Sequence, residues 1–135
     1  GRYQVVNSLG YLGKYQFGTS TLKLLGIHDL SNFLLCPELQ EMVFMANLKR
    51  NKWVLRRDID RCVGQNINGT LVSESGILAA AHLAGPGSVK RYLRSQGAIG
   101  FKDAFGTDIA SYINKFAAFD TSVVTAERHP KINLL

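Results

Sequence analysis

SESGILAAAHLAGPG, residues 73–87, marks a helix together with both of its ends. Ser73 can cap the first backbone N–H groups of a helix, and Gly85 suits the left-handed conformation that commonly ends one. Apolar residues recur between these two positions at helical spacing: Ile77, Leu78, Ala80 and Ala81. Pro86 is favoured in the first turn of a helix, so a second helix should begin directly after the first and end near Gly97.

The same pattern of short helices separated by glycine extends through the rest of the chain. Helices are predicted over residues 19–25, from Pro37 to residue 63 as one bent helix or two, and after Thr107 or Asp108. No segment shows convincing period-two alternation, although NINGT at 66–70 predicts a turn and a small hairpin. The predicted fold class is therefore mostly α, as one compact domain over residues 1–135.

Composition restricts the class of protein. Apolar residues make up 46% of the chain and charged residues 19%, a balance that is typical of globular domains and argues against disorder. The longest apolar stretch, residues 76–87, contains His82 and is far shorter than the roughly 20 residues that span a bilayer. No basic stretch followed by an apolar run marks a signal peptide. Cys36 and Cys62 could pair, but buried free thiols are the simpler interpretation.

The charge balance predicts an affinity for polyanions. Sixteen Lys and Arg side chains stand against ten Asp and Glu, a formal net charge of +6. The densest cationic group surrounds Trp53 and consists of Lys49, Arg50, Lys52, Arg56, Arg57 and Arg61. It can be a solvated helix face with Trp53 in the core, or a ridge that holds nucleic-acid phosphates or cell-wall carboxylates.

A second unusual segment is GYLGKYQFG, residues 10–18. Its three glycines permit a tight or left-handed backbone. Tyr11, Tyr15 and Phe17 offer flat aromatic faces, and Gln16 offers both a donor and an acceptor. Such a loop suits a sugar, whose ring faces stack on aromatic side chains and whose hydroxyl and N-acetyl groups need hydrogen bonds. The alternative is a turn that packs its aromatic side chains into the core.

These two segments together resemble the lysozyme-like lytic transglycosylases, which cleave the glycan strands of bacterial peptidoglycan. GYLGKYQ at 10–16 is similar to the Gly-rich second motif of that family, which ends in a glutamine lining the sugar cleft. AAHLAGPG at 80–87 is similar to the third motif, commonly Ala-Ala-Tyr-Asn-Ala-Gly-Pro-Gly, and Tyr92 suits the residues that follow it. The order of the motifs is that of the family, and the resemblance extends over residues 3–119.

The resemblance implies a lysozyme-like fold and a set of substrate-binding residues: Tyr11, Tyr15, Gln16, His82 and Tyr92. The chain departs from the family pattern at His82 and Leu83, where tyrosine and asparagine are usual. An imidazole would then replace one of the usual polar contacts.

The catalytic acid of the family is a single glutamate that precedes the Gly-rich motif. This chain has no acidic residue before Lys14, so the acid is expected upstream of Gly1, on an N-terminal piece that the chain lacks. The alternative is that the domain is inactive. Glu74, in Glu74-Ser75-Gly76, matches the first motif of the family in sequence but not in position. It is a fallback candidate, and its simpler role is to sit near the positive end of a helix whose cap is Ser73.

The resemblance implies an acid-catalysed cleavage in which a protonated glutamate releases the leaving sugar, and either the muramyl 6-hydroxyl or water attacks. It implies peptidoglycan as partner, no cofactor, and a place in the bacterial cell envelope or outside the cell. No metal site is expected, because His28 and His129 lack acidic or cysteine partners at ligand spacing. Two alternatives stay open: a non-catalytic glycan-binding domain, and a basic helical domain that binds nucleic acid, which is the less favoured partner.

Overall fold

The computed structural model describes residues 2–8, 10–100, 108–115, 117 and 120–132, with the side chains of Tyr112 and Lys115 excepted. The prediction of a mostly helical fold with one small hairpin is confirmed. The described elements are α1 (Thr19–Leu24), α2 (Leu30–Leu35), α3 (Pro37–Val54), α4 (Arg56–Cys62), β1 (Asn66–Ile67), β2 (Thr70–Leu71), α5 (Glu74–Ala84), α6 (Pro86–Arg94) and α7 (Ile109–Lys115).

The chain divides into two compact units, one formed by Gly1–Asn47 with Pro130–Leu135 and the other by Leu48–His129. Each unit has its own apolar core. In the first unit Phe17 and Phe33 meet edge to face, with ring centroids 5.9 Å apart. The assignment of residues 1–135 to a single lysozyme-like domain stays a prediction.

Helix α5 lies at the centre of the second unit, where it packs against α6 and α7. Ile77 and Leu78 are almost completely buried, which removes about 1.5–3 kcal/mol of unfavourable hydration for each side chain. Gly76 allows α7 to approach closely, because a Cβ at this position would lie 2.6 Å from the carbonyl oxygen of Ile113. Gly76 therefore allows the close packing of α5 against α7.

The ends of the helices follow the local signals. The Ser73 hydroxyl accepts a hydrogen bond from the Gly76 N–H at 3.1 Å, and Gly85 has φ +88°, so both ends of α5 are as predicted. The long signal after Pro37 consists of two helices, which meet at the buried Leu55. The cap of α7 is Asp108, whose Oδ1 accepts from the Ser111 N–H at 2.8 Å. Thr107 and Phe116 lie outside the described residues.

The hairpin β1–β2 is antiparallel and pairs Asn66 with Leu71 and Ile67 with Thr70. Its turn residues, Asn68 and Gly69, have φ +50° and +89°. Two successive positive φ angles favour asparagine followed by glycine, which is why this dipeptide predicted the turn.

Candidate functional site

The Gly-rich segment forms a tight loop in the first unit. Leu12 and Phe17 exchange backbone hydrogen bonds of 2.8 Å across the loop, and Leu12 also bridges Val6. Gly10 and Gly13 have φ +84° and +79°, the left-handed backbone that glycine permits. The backbone is thus folded back on itself and fixed by its own hydrogen bonds.

Gln40, on α3, stabilises this loop through hydrogen bonds of its side-chain amide. Its side chain is completely buried, its Oε1 accepts from the Lys14 N–H at 3.0 Å, and its Nε2 donates to the carbonyl oxygens of Tyr3 and Phe33 at 2.7 and 3.1 Å. A Cβ at Gly13 would lie 2.9 Å from Cδ of Gln40, so only glycine fits above the amide. One buried side chain therefore ties the loop, the N-terminal segment and α2 together.

Glu41, the next residue on α3, holds the side chains of the loop. The Tyr15 hydroxyl donates to Oε2 at 2.6 Å, and the Tyr3 hydroxyl and Lys14 Nζ donate to Oε1 at 2.9 and 3.2 Å. Lys14 Nζ also lies 5.3 and 5.2 Å from the ring centroids of the two tyrosines, and the Tyr15 ring stacks on Phe44 at 3.9 Å. The position of Tyr15 is thus fixed at its hydroxyl and at its ring.

The electrostatics of this group favour the ionised carboxylate and the charged ammonium. The hydrogen bond from Tyr15, followed by those from Tyr3 and Lys14, lowers the pKa of Glu41. The same carboxylate raises the pKa of Lys14 by hydrogen bonding. Burial, and then the carboxylate of Glu41, raise the pKa of Tyr15. Glu41 is therefore a hydrogen-bond acceptor near neutral pH and does not carry a proton to donate.

Three of the predicted binding residues are half-buried side chains of this loop: Tyr11, Tyr15 and Gln16. Gln16 has φ +55°, and its Nε2 donates to the Gly13 carbonyl at 2.9 Å. Its Oε1 has no hydrogen bond among the described residues, so it is available as an acceptor. Phe17, by contrast, is a core residue and offers no face to a ligand.

The other two predicted binding residues lie in the second unit. His82 is half-buried in the last turn of α5, and Leu83 beside it is exposed. Tyr92, on α6, is only 5% exposed, and burial raises the pKa of its hydroxyl. It borders a cavity of about 190 Å³ whose polar lining includes Thr70 and Asp108.

Glu74, the fallback acid, is engaged in structural contacts. Its Oε1 lies 3.3 Å from Lys52 Nζ, and its Oε2 accepts from the Thr121 hydroxyl. Lys52 Nζ also donates to the Thr121 carbonyl at 2.9 Å. These contacts hold residues 120–124 beside the N-terminus of α5.

The cationic group around Trp53 is divided between different partners. Besides Lys52, Lys49 forms an ion pair with Glu127 at 3.8 Å. The Arg56 guanidinium stacks on the Trp53 ring at 3.9 Å, and that of Arg128 lies 5.1 Å from the ring centroid. Trp53 is half-buried and is not a core residue. The alternative of a solvated helix face had placed Trp53 in the core, and that part of it is wrong.

Cys36 is half-buried and Cys62 is buried, and both are free thiols. Within the described ranges, no group of three His, Cys, Asp or Glu side chains could hold a metal ion. In the same part of the chain, no helix combines the length and the apolar character needed to cross a membrane.

Sequence reasoning missed Tyr3, Gln40 and Glu41 as parts of the loop. Glu38 is the acidic residue in the first turn of α3, and Glu41 follows it one turn later on the helix. The sequence offers the adjacent polar pair Gln40-Glu41 on a helix after a Gly-rich loop. No sequence spacing indicates which residues this pair contacts. The partners lie 26 to 38 residues earlier in the chain.

Comparisons of this chain with protein-family models, with curated proteins and with solved structures give no match.

Proposed function

We propose that this chain is a domain that acts on the glycan strands of bacterial peptidoglycan, in the cell envelope or outside the cell. The observation that supports it most is how the Gly-rich loop is built. Gln40 holds the backbone of the loop that carries Tyr11, Tyr15 and Gln16, and Glu41 holds the Tyr15 side chain. A surface that is already ordered loses little entropy on binding, which favours recognition of a flexible sugar chain.

The role of each residue follows from its chemistry. The ring of Tyr11 would stack on a sugar face, and Oε1 of Gln16 would accept a hydrogen bond from a hydroxyl or an N-acetyl N–H. Tyr15, whose ring lies against Phe44 and Lys14, would contact the sugar through its edge. His82 would contribute an imidazole from the third motif. Cleavage needs a carboxyl that is protonated near neutral pH. Glu41 does not meet that requirement because its pKa is lowered. Glu41 is therefore not the acid of this proposal, and the family resemblance would assign that role to a glutamate that precedes the Gly-rich motif.

The first experiment measures the turbidity of a suspension of purified peptidoglycan and the mass of the soluble products. It uses this chain and a form extended by any residues that its gene encodes before Gly1. Clearing with 1,6-anhydro ends supports a lytic transglycosylase, and clearing with reducing ends supports a hydrolase. Binding without clearing by either form supports the non-catalytic alternative. Absence of both binding and clearing would refute the proposal.

The second experiment tests the loop by co-sedimentation with the same material. Tyr11→Ala and Gln16→Asn, which keeps a residue type that tolerates positive φ, should each weaken binding about two- to tenfold. Leu24→Ala is the matched control, because Leu24 is an exposed apolar side chain of α1 outside the motif. Equal effects of all three variants would show that the loop is not the binding surface.

A further inference from the structure

Two guanidinium groups on neighbouring helices share one buried carboxylate. Arg61 Nη2 on α4 and Arg94 Nε on α6 reach the same oxygen, Oδ1 of Asp58, at 2.7 and 3.1 Å. The Arg94 Nη2 also lies 3.5 Å from Oδ2. Asp58 is completely buried, whereas the side chains of Arg61 and Arg94 are 47% and 56% exposed. Two like charges are thus held side by side, with only one negative charge beneath them.

Further cations extend this pair along both helices. Arg57 lies one helical turn before Arg61 on α4, and Lys90 and Arg91 lie one turn before Arg94 on α6. Arg57 and Lys90 have no hydrogen bond or ion pair with a described residue, and Arg91 donates to the Ser88 hydroxyl at 3.2 Å.

We call Arg57, Arg61, Lys90, Arg91 and Arg94 the α4–α6 cationic surface. The carboxylates of α4 and α6 are Asp58, which is buried, and Asp60, which is exposed. Four of these cations are exposed and Lys90 is half-buried. Helices α4 and α6 therefore carry five positive charges on this surface against one buried and one exposed carboxylate, a net positive excess on the two helices.

We infer that the α4–α6 cationic surface binds the carboxylates of the peptide stems of peptidoglycan, so that the domain recognises glycan strands that still carry peptides. This inference rests on the proposed function. The N-acetylated sugars of a strand are neutral where their lactyl groups are joined to peptides, so the peptide carboxylates are the charges that can complement the surface. Guanidinium groups suit this partner because they bind carboxylates through paired hydrogen bonds. Arg94 already contacts both oxygens of Asp58 in that way, whereas Arg61 makes one hydrogen bond to Oδ1.

The test compares two polymers: intact peptidoglycan with its peptide stems, and glycan strands from which an amidase has removed the peptides. The variant is Arg57→Gln with Arg91→Gln, because neither residue contacts Asp58 and the fold should persist. The control is Lys23→Gln with Lys131→Gln, which removes the same charge from exposed positions of the other unit. Co-sedimentation is measured at low and at high ionic strength, and circular dichroism verifies that each variant is folded.

We expect the unmodified chain to bind stem-bearing peptidoglycan more tightly than bare strands, with a preference that decreases as salt is added. The Arg57→Gln/Arg91→Gln variant should lose about three- to tenfold in affinity for the stem-bearing polymer and keep its affinity for bare strands. The control pair should change neither. If the variant binds stem-bearing peptidoglycan as tightly as the unmodified chain, the inference is wrong and the proposed function stands.

Two other results also decide the matter. If the unmodified chain binds neither polymer, the proposed function itself fails. If duplex DNA competes with stem-bearing peptidoglycan at equal charge concentration, and the Arg57→Gln/Arg91→Gln variant abolishes that competition, then the surface is a general polyanion site and the assignment to peptide carboxylates is overturned.

Discussion

Replacing Gly13 with alanine should disrupt the Gly-rich loop from within. The φ angle of +79° costs a residue with a Cβ about 1–2 kcal/mol. The new Cβ would also lie 2.9 Å from Cδ of Gln40, and closer still to its Oε1. The Gln40 amide cannot move away cheaply, because it is completely buried and bonded to the loop, the N-terminal segment and α2. Loss of the hydrogen bond from the Lys14 N–H adds about 1–3 kcal/mol.

Gly10→Ala is the matched control for this prediction. Gly10 has nearly the same φ, +84°, but a Cβ there would meet no atom within 4 Å. We therefore expect Gly10→Ala to lower the free energy of unfolding by about 1–2 kcal/mol and Gly13→Ala by about 2–5 kcal/mol. Urea unfolding followed by far-ultraviolet circular dichroism measures both, because the only tryptophan, Trp53, reports on the other unit.

A double-mutant cycle makes the reasoning specific. In a Gln40→Ala background the clash disappears, so Gly13→Ala should then cost no more than Gly10→Ala does in the unmodified chain. If Gly13→Ala and Gly10→Ala are equally destabilising, or if removal of the Gln40 amide does not reduce the cost at Gly13, the close approach of loop and amide is not what fixes this backbone.

Three further predictions concern stability and pH. Asp58→Asn should lower the free energy of unfolding by about 2–3 kcal/mol, because two guanidinium groups lose their buried partner, whereas Asp60→Asn at an exposed position should stay within about 0.5 kcal/mol in the same urea titrations. The pKa of Glu41 is lowered in the folded chain, so the stability that it contributes is present above its ordinary value of about 4.5 and is lost as the pH falls through the folded-state pKa. Glu41→Gln should therefore make stability less dependent on pH below about 4.5, and an unchanged acid profile in the melting temperature would contradict this. Gly76→Ala should cost about 2–4 kcal/mol, because its Cβ would meet the backbone of α7, while Gly87→Ala, whose nearest new contact is at 3.8 Å, should be neutral or slightly stabilising in thermal melts.

The parts of the fold that the sequence predicted are those that local interactions determine. The cap at Ser73, the left-handed Gly85 and the Asn68-Gly69 turn each depend on residues within a few positions. Helix α2 was not predicted, since its segment LSNFLL is short and only Phe33 in it is buried. Its carbonyl groups are partnered by Gln40 on α3, a tertiary contact that periodicity does not reveal.

The candidate site divides in the same way. The left-handed conformations of Gly10 and Gly13 are local, and the sequence showed that glycine permits them. The hydrogen bonds from Tyr3 and Tyr15 to Glu41 join residues that are 38 and 26 positions apart, and no sequence motif predicts them. Likewise, Arg61 was placed on a ridge with Arg56, whereas the structure pairs it with Arg94 through Asp58. Sequence identifies which residue types are unusual, and packing decides which of them meet.

The hydrogen bonds that Glu41 accepts determine what this carboxyl can do chemically. A carboxylate that orients two phenols and an ammonium must accept their hydrogen bonds, and each of those bonds stabilises its charged form. An acid that protonates a leaving sugar needs the opposite surroundings, apolar and without donors, so that its proton is retained near neutral pH. One carboxyl cannot meet both requirements. If the loop serves glycan cleavage, Glu41 acts by positioning Tyr15 and Lys14. Glu41→Gln should then weaken glycan binding but leave the pH profile of cleavage unchanged, because a different carboxyl supplies the proton.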